Sequence, residues 1–134
     1  MIGLLSKLFG GNKSQKDVKL LLPIVEQINH HYKEYRTISN DALRNKTVEF
    51  KNRIKEHLSG IDSEVDNLRN EAEGFSPEDI SGRENIFQQI DKLKKQRNEK
   101  IEEALKDIQA EAFAVVKETA RRFTENKELT ATAT

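Results

Sequence analysis

His30 and His31, with Glu34 one turn after the first, are the residues whose types come nearest to a metal site. Metal ligation needs donors that converge on one point, whereas neighbouring side chains on a helix diverge by about 100°. The chain has no cysteine, its third histidine is the distant His57, and nothing else stands at ligand spacing. The pair reads as solvated, so no metal, cofactor or catalytic residue is assigned. Without cysteine, thiol catalysis and a disulfide framework are also excluded, and the composition suits a reducing compartment such as the cytosol.

Lys92, Lys94, Lys95, Arg97 and Lys100 form the one dense basic cluster. Only about half of a helical run can share a face, and no aromatic residue is interleaved for base stacking. Asp91, Glu99, Glu102 and Glu103 flank the cluster, and 23 basic residues balance 23 acidic ones over 134 residues, so no nucleic-acid partner is expected. A membrane surface is a better match for the N-terminus. If residues 1–11 are helical, Ile2, Leu5, Leu8 and Phe9 share a side, with Lys7 placed for anionic headgroups and Gly10-Gly11 ending the element. The run is too short to span a bilayer and lacks a cleavage site, so it reads as an amphipathic foot and not as a signal peptide.

These residues must be positioned by helices. In 14–36, Val18, Leu21, Val25, Ile28, Tyr32 and Tyr35 recur at steps of three and four, with Pro23 expected to kink the helix or mark its true start. A second helix is expected after Ile38, capped by Ser39 or Asn40, with Leu43, Thr47, Phe50, Ile54, Leu58, Ile61, Val65, Leu68 and Ala72 on one stripe. It is expected to pass through Gly60 and stop at Gly74. The third should begin at the Ser76-Pro77-Glu78-Asp79 signal and run to about Glu125, with Ile86, Ile90, Leu93, Arg97, Ile101, Ala104 and Ile108 on its stripe.

Counted outward from 74–76, the two stripes mirror each other. Val65 is therefore expected to face Ile86, Ile61 to face Ile90, Leu58 to face Leu93 and Phe50 to face Ile101, with the Arg97 stem covering Ile54. The expected fold is all-α: a long antiparallel helical hairpin over 39–125, coiled-coil-like, with the 14–36 helix packed at its base. Beyond Ile108, Ala112, Phe113, Ala114, Val115 and Val116 are apolar around the whole circumference, which demands burial on several sides.

Three blocks in order carry a resemblance. Glu111-Ala112-Phe113-Ala114-Val115-Val116-Lys117-Glu118-Thr119-Ala120-Arg121-Arg122 resembles a segment of the SecA family of preprotein-translocase ATPases. Ile38-Ser39-Asn40-Asp41-Ala42-Leu43-Arg44-Asn45-Lys46-Thr47-Val48-Glu49-Phe50-Lys51-Asn52-Arg53-Ile54 is similar to another, and Leu4-Leu5-Ser6-Lys7-Leu8-Phe9-Gly10 to the family's N-terminus. In that family a short loop separates the second and third blocks, so 58–106 reads as a lineage insertion. The chain has no GxxxxGK[ST] phosphate loop and no acidic pair placed for magnesium, and 126–134 reads as a truncated tail.

The resemblance implies an N-terminal fragment of an ATP-driven protein translocase, not itself an enzyme, that buttresses the first nucleotide-binding domain. ATP and magnesium would belong to the parent, as would a SecY-type channel, preproteins and acidic phospholipids. The parent would be cytoplasmic and peripheral to the inner face of the membrane, with Ile2, Leu5, Lys7, Leu8 and Phe9 at the lipid and in homodimer contacts. The alternative is a free-standing helical-hairpin adaptor that offers its 112–116 stretch to a partner protein.

Overall fold

The computed structural model describes residues 12–76, 78–126 and 128. The expected membrane foot at Ile2, Leu5, Lys7, Leu8 and Phe9, and most of the tail, lie outside the described residues. The fold is all-α: α1 (Asn12–Tyr35), α2 (Asn40–Gly74) and α3 (Ile80–Glu125) follow one another with no strand among the described residues.

The helix ends follow from local chemistry. Ser39 caps α2, its Oγ accepting the Ala42 amide at 3.1 Å. The cap of α3 is Asp79, whose Oδ1 accepts the Gly82 amide at 2.9 Å. The last helix is thus capped three residues later than the Ser76 signal suggested, because Asp79 supplies the stronger, charged acceptor. Gly82 earns its place at this turn, since a Cβ there would lie 2.6 Å from Phe75 Cε1 and 2.7 Å from Asp79 Oδ2. Pro23 neither starts nor ends α1, which runs through it. Proline offers no N–H to the Lys19 carbonyl, but both residues are exposed, so water can take the freed acceptor.

Two compact units divide the described chain: the residues up to Arg44 together with those from Gln109 onward, and Asn45–Ile108. In the second unit α2 passes uninterrupted through Gly60, and the two helices pack antiparallel. Most of the expected stripe positions are buried or half-buried, with Phe50, Leu58, Ile61, Val65 and Ala72 buried on α2 and Ile86, Ile90, Ala104 and Ile108 on α3, while Thr47 is exposed. Val65, Ala72, Ile86 and Ile90 form one cluster, lined by Leu68, Phe75 and Leu93.

The register differs from the mirror expectation. Polar rungs run from Asp62 to Arg97 (2.5 Å), from His57 to Glu103 (3.6 Å) and from Arg53 to Asp107 (2.7 Å). Ile54 lies in a shallow depression with Ala104 and Ile108, so Arg97 does not cover it. Each α2 position faces a site about one heptad further along α3 than expected. A heptad stripe superposes on itself after seven residues, so the tip decides the register. The helices break over 75–79, a longer tip than expected, and it displaces the pairing.

The core of the first unit is Tyr35, Leu43 and Ala114, with Ile28, Tyr32, Ile38 and Val115 packed on it. Ala114 is fully buried, which fits a residue whose small side chain lets α1 and α2 both approach α3.

Candidate functional site

The first unit holds the only fully buried charge among the described residues, Glu118. A carboxylate out of water is costly unless both oxygens find charged or N–H partners. Arg121 supplies two, with Nε donating to Oε2 at 2.9 Å and Nη2 to Oε1 at 2.7 Å. Arg122 Nε adds a third bond, to Oε1 at 2.7 Å. Arg121 also reaches Glu125 through Nη1. The Arg121 hydrogen bonds chiefly, then those of Arg122, overcome the burial penalty and hold the Glu118 carboxyl down to about 2. The same partnership pushes Arg121 above the usual arginine range.

Arg122 turns this charge cluster into a clamp. Its Nη2 donates to the carbonyls of Tyr35 (2.9 Å) and Ile38 (2.7 Å), and its Nη1 to Asn40 Oδ1 (2.6 Å). Tyr35 ends α1 and Ile38 lies in the connection that follows it, and the Tyr35 carbonyl also accepts the Ile38 amide at 3.4 Å. One guanidinium therefore ties the 36–39 connection to α3. Tyr35 donates to Glu111 Oε2 at 3.1 Å, and Lys117 donates to Asn29 at 2.8 Å while lying 4.4 Å from the Tyr32 ring centroid. One side of α3 is thereby fixed.

The opposite side of α3 is apolar and uncovered. Phe113, Val116, Ala120 and Phe123 stand at steps of three, four and three, and all four are exposed, Val116 at 66%. On α1 the expected stripe divides: Ile28, Tyr32 and Tyr35 pack inward, but Val18, Leu21 and Val25 are exposed, as are Leu20 and Leu22. Isolated exposed leucines are ordinary, whereas contiguous stripes at packing spacing mark a contact surface.

The residues that carried the resemblance have distinct places. In the first unit Ser39 and Ala42 form the α2 cap, Asp41 pairs with Arg44, and Leu43 and Ala114 lie in the core. Glu111 holds Tyr35, Arg121 and Arg122 grip Glu118, Ala112 and Val115 are half-buried, and Phe113 and Val116 face outward. In the second unit Lys46 pairs with Glu49 at 2.6 Å, Arg53 with Asp107, Phe50 is buried and Thr47 is exposed. Glu118 lies inside the 111–122 block, but nothing in the sequence marks it as buried. Its spacing of three and four to Arg121 and Arg122 was the available signal. His30 Nε2 and His31 Nδ1 lie 3.5 and 3.3 Å from the Glu34 carboxylate. No group of three or more metal-ligating side chains occurs among the described residues, and none of their helices is long and apolar enough to cross a membrane.

A family model described as the SecA DEAD-like domain matches residues 5–131. Protein translocase subunit SecA of Flavobacterium psychrophilum is 47% identical over 128 residues, which is 96% of this chain and 11% of that protein. The proteins of the same name from Cytophaga hutchinsonii (42% over 134 residues, 100% and 12%) and Phocaeicola vulgatus (47% over 130 residues, 97% and 12%) are similar. The chain thus spans only 11–12% of the length of these relatives, and their alignments run through the whole outer hairpin. No solved structure matches it.

Proposed function

Because the chain belongs to the SecA family of protein translocase subunits, we propose that it forms the N-terminal helical region of an ATP-driven preprotein translocase and carries no catalytic residue itself. The uncovered stripe Phe113, Val116, Ala120 and Phe123, with the outward leucines of α1, carries this reading. In the proposed role this apolar surface seats on the first nucleotide-binding domain of the same long protein and buttresses it. Glu118, Arg121 and Arg122 keep the supporting helices in place from the other side of α3.

ATP and magnesium act in the longer protein, whose partners are a SecY-type channel and preproteins. Residues Ile2, Leu5, Lys7, Leu8 and Phe9 reach acidic phospholipid at the inner face of the cell membrane and contribute to dimer contacts. The hairpin over 58–106 is a lineage addition to that scaffold.

The chain and the remainder of the longer protein, produced as separate polypeptides, test the proposal. They are expected to associate and to restore ATP hydrolysis together, and Phe113→Ser with Val116→Ser is expected to prevent both. The chain alone, incubated with labelled ATP and magnesium, is expected to bind none. Stoichiometric nucleotide binding by the chain alone would overturn the assignment, and so would association that ignores the double substitution.

A further inference from the structure

The second unit carries an outward stripe of its own. On the first turns of α3, Ile80, Glu84, Phe87 and Asp91 stand at steps of four, three and four, within a narrow sector of the helix. That is packing spacing, yet all four are exposed, Ile80 at 72% and Phe87 at 54%. The buried residues of the same turns, Ile86 and Ile90, point elsewhere and are already paired across the hairpin. The stripe is a second seam, unused by the hairpin that carries it.

Charge decides what fits. Between 71 and 91 the chain has six carboxylates, Glu71, Glu73, Glu78, Asp79, Glu84 and Asp91, against one cation, Arg83, in a protein whose total charge is balanced. Asp79 is occupied as the α3 cap, and Asp91 holds Lys94 at 3.2 Å. Glu84 projects from the stripe between the two apolar side chains. From Ile80 to Phe87 the seam is one heptad, the spacing at which a docked amphipathic helix places successive anchors.

We propose that this face docks a basic amphipathic helix of a partner protein, with apolar residues one heptad apart on Ile80 and Phe87 and a lysine or arginine at Glu84. A second copy of the chain fits poorly. Two-fold pairing would bring Ile80 onto Phe87 but would set Glu84 against its own counterpart. An anionic membrane is repelled by the same carboxylates. The proposal is independent of the role given to the first unit, whose exposed stripe has no charged member.

The probe is an 18-residue helical peptide with leucine at the heptad a and d positions and lysine beside them, with a glutamate-for-lysine twin as control. Titration of the 134-residue chain, followed by fluorescence anisotropy, is expected to show saturable binding of the lysine peptide that weakens with added salt. Ile80→Ser with Phe87→Ser, at exposed sites where helicity should persist by circular dichroism, is expected to weaken binding about tenfold or more. Glu84→Lys should act in the same direction. The inference is overturned by absence of saturable binding, by undiminished binding to the serine double variant, or by equal binding of the glutamate twin. It is equally overturned by a dimer of the chain that the double variant dissolves.

Discussion

The second unit closes its own seam, whereas the first leaves one open. In Asn45–Ile108, two helices bury facing stripes and flank them with the rungs Asp62–Arg97, His57–Glu103 and Arg53–Asp107. In the first unit an equally firm internal framework, built on Ala114 and Glu118, supports an α3 surface at Phe113, Val116 and Phe123 that no described residue covers. Buried area there is invested on one side only. The lesson is that a helix can be firmly held on one face and still leave an apolar face exposed.

Substitutions can break that contrast at several strengths. Ile90→Ala removes most of a side chain that is 2% exposed in the second unit, and a loss of about 3–4 kcal/mol is expected in urea denaturation. Glu118→Ala strips the first unit of the anion shared by Arg121 and Arg122, with an expected loss of about 3 kcal/mol by the same assay. If Glu118→Ala were neutral, the first unit would not rest on its buried charge.

Acid offers a milder version. The Glu118 carboxyl titrates at about 2 in the folded chain against 4.5 as its ordinary value. A depressed carboxylate stabilises the fold above the ordinary value, and that contribution fades as pH falls from about 5 towards 2. Stability is expected to drop by about 2–3 kcal/mol over this window from Glu118 alone, and the Glu118→Gln variant should lack that part of the acid dependence.

Two of the helical glycines, Gly60 in α2 and Gly82 in α3, sharpen the reading of the hairpin. A Cβ at Gly60 would meet nothing within 4 Å, whereas one at Gly82 would press on Phe75 and Asp79. Gly60→Ala should therefore stabilise by about 0.5–1 kcal/mol, and Gly82→Ala should fail to give that gain. Equal thermal shifts in the two variants would remove the close-approach argument. Smallest of all, Phe113→Ser with Val116→Ser should change the stability of the isolated chain by about 0.5 kcal/mol or less, since both residues are exposed. A large loss would mean that the stripe is core after all.

Much of the fold was legible because apolar spacing is local: the helices, the passage through Gly60 and both hairpin stripes could be read from steps of three and four. The register was not, because a heptad pattern matches itself after a shift of seven, and the choice rested on where Asp79 capped α3. The apolar circumference near Ala112–Val116 raised an expectation of burial on several sides, whereas in the structure Ala114 is buried and Phe113 and Val116 are exposed. The clamp escaped notice for a different reason. Glu118 with Arg121 and Arg122 has the spacing of an ordinary surface ion pair, and only the three-dimensional approach of the Tyr35 and Ile38 carbonyls makes it a buried one.

The contrast between a closed seam and an open one can be read directly by amide hydrogen exchange on the isolated chain and on the proposed longer protein. The account predicts that 18–25 and 113–123 become markedly slower to exchange in that proposed longer protein, while 58–72 and 86–100 keep the protection they have alone. Unchanged exchange at 113–123, or new protection confined to the outer hairpin, would contradict it.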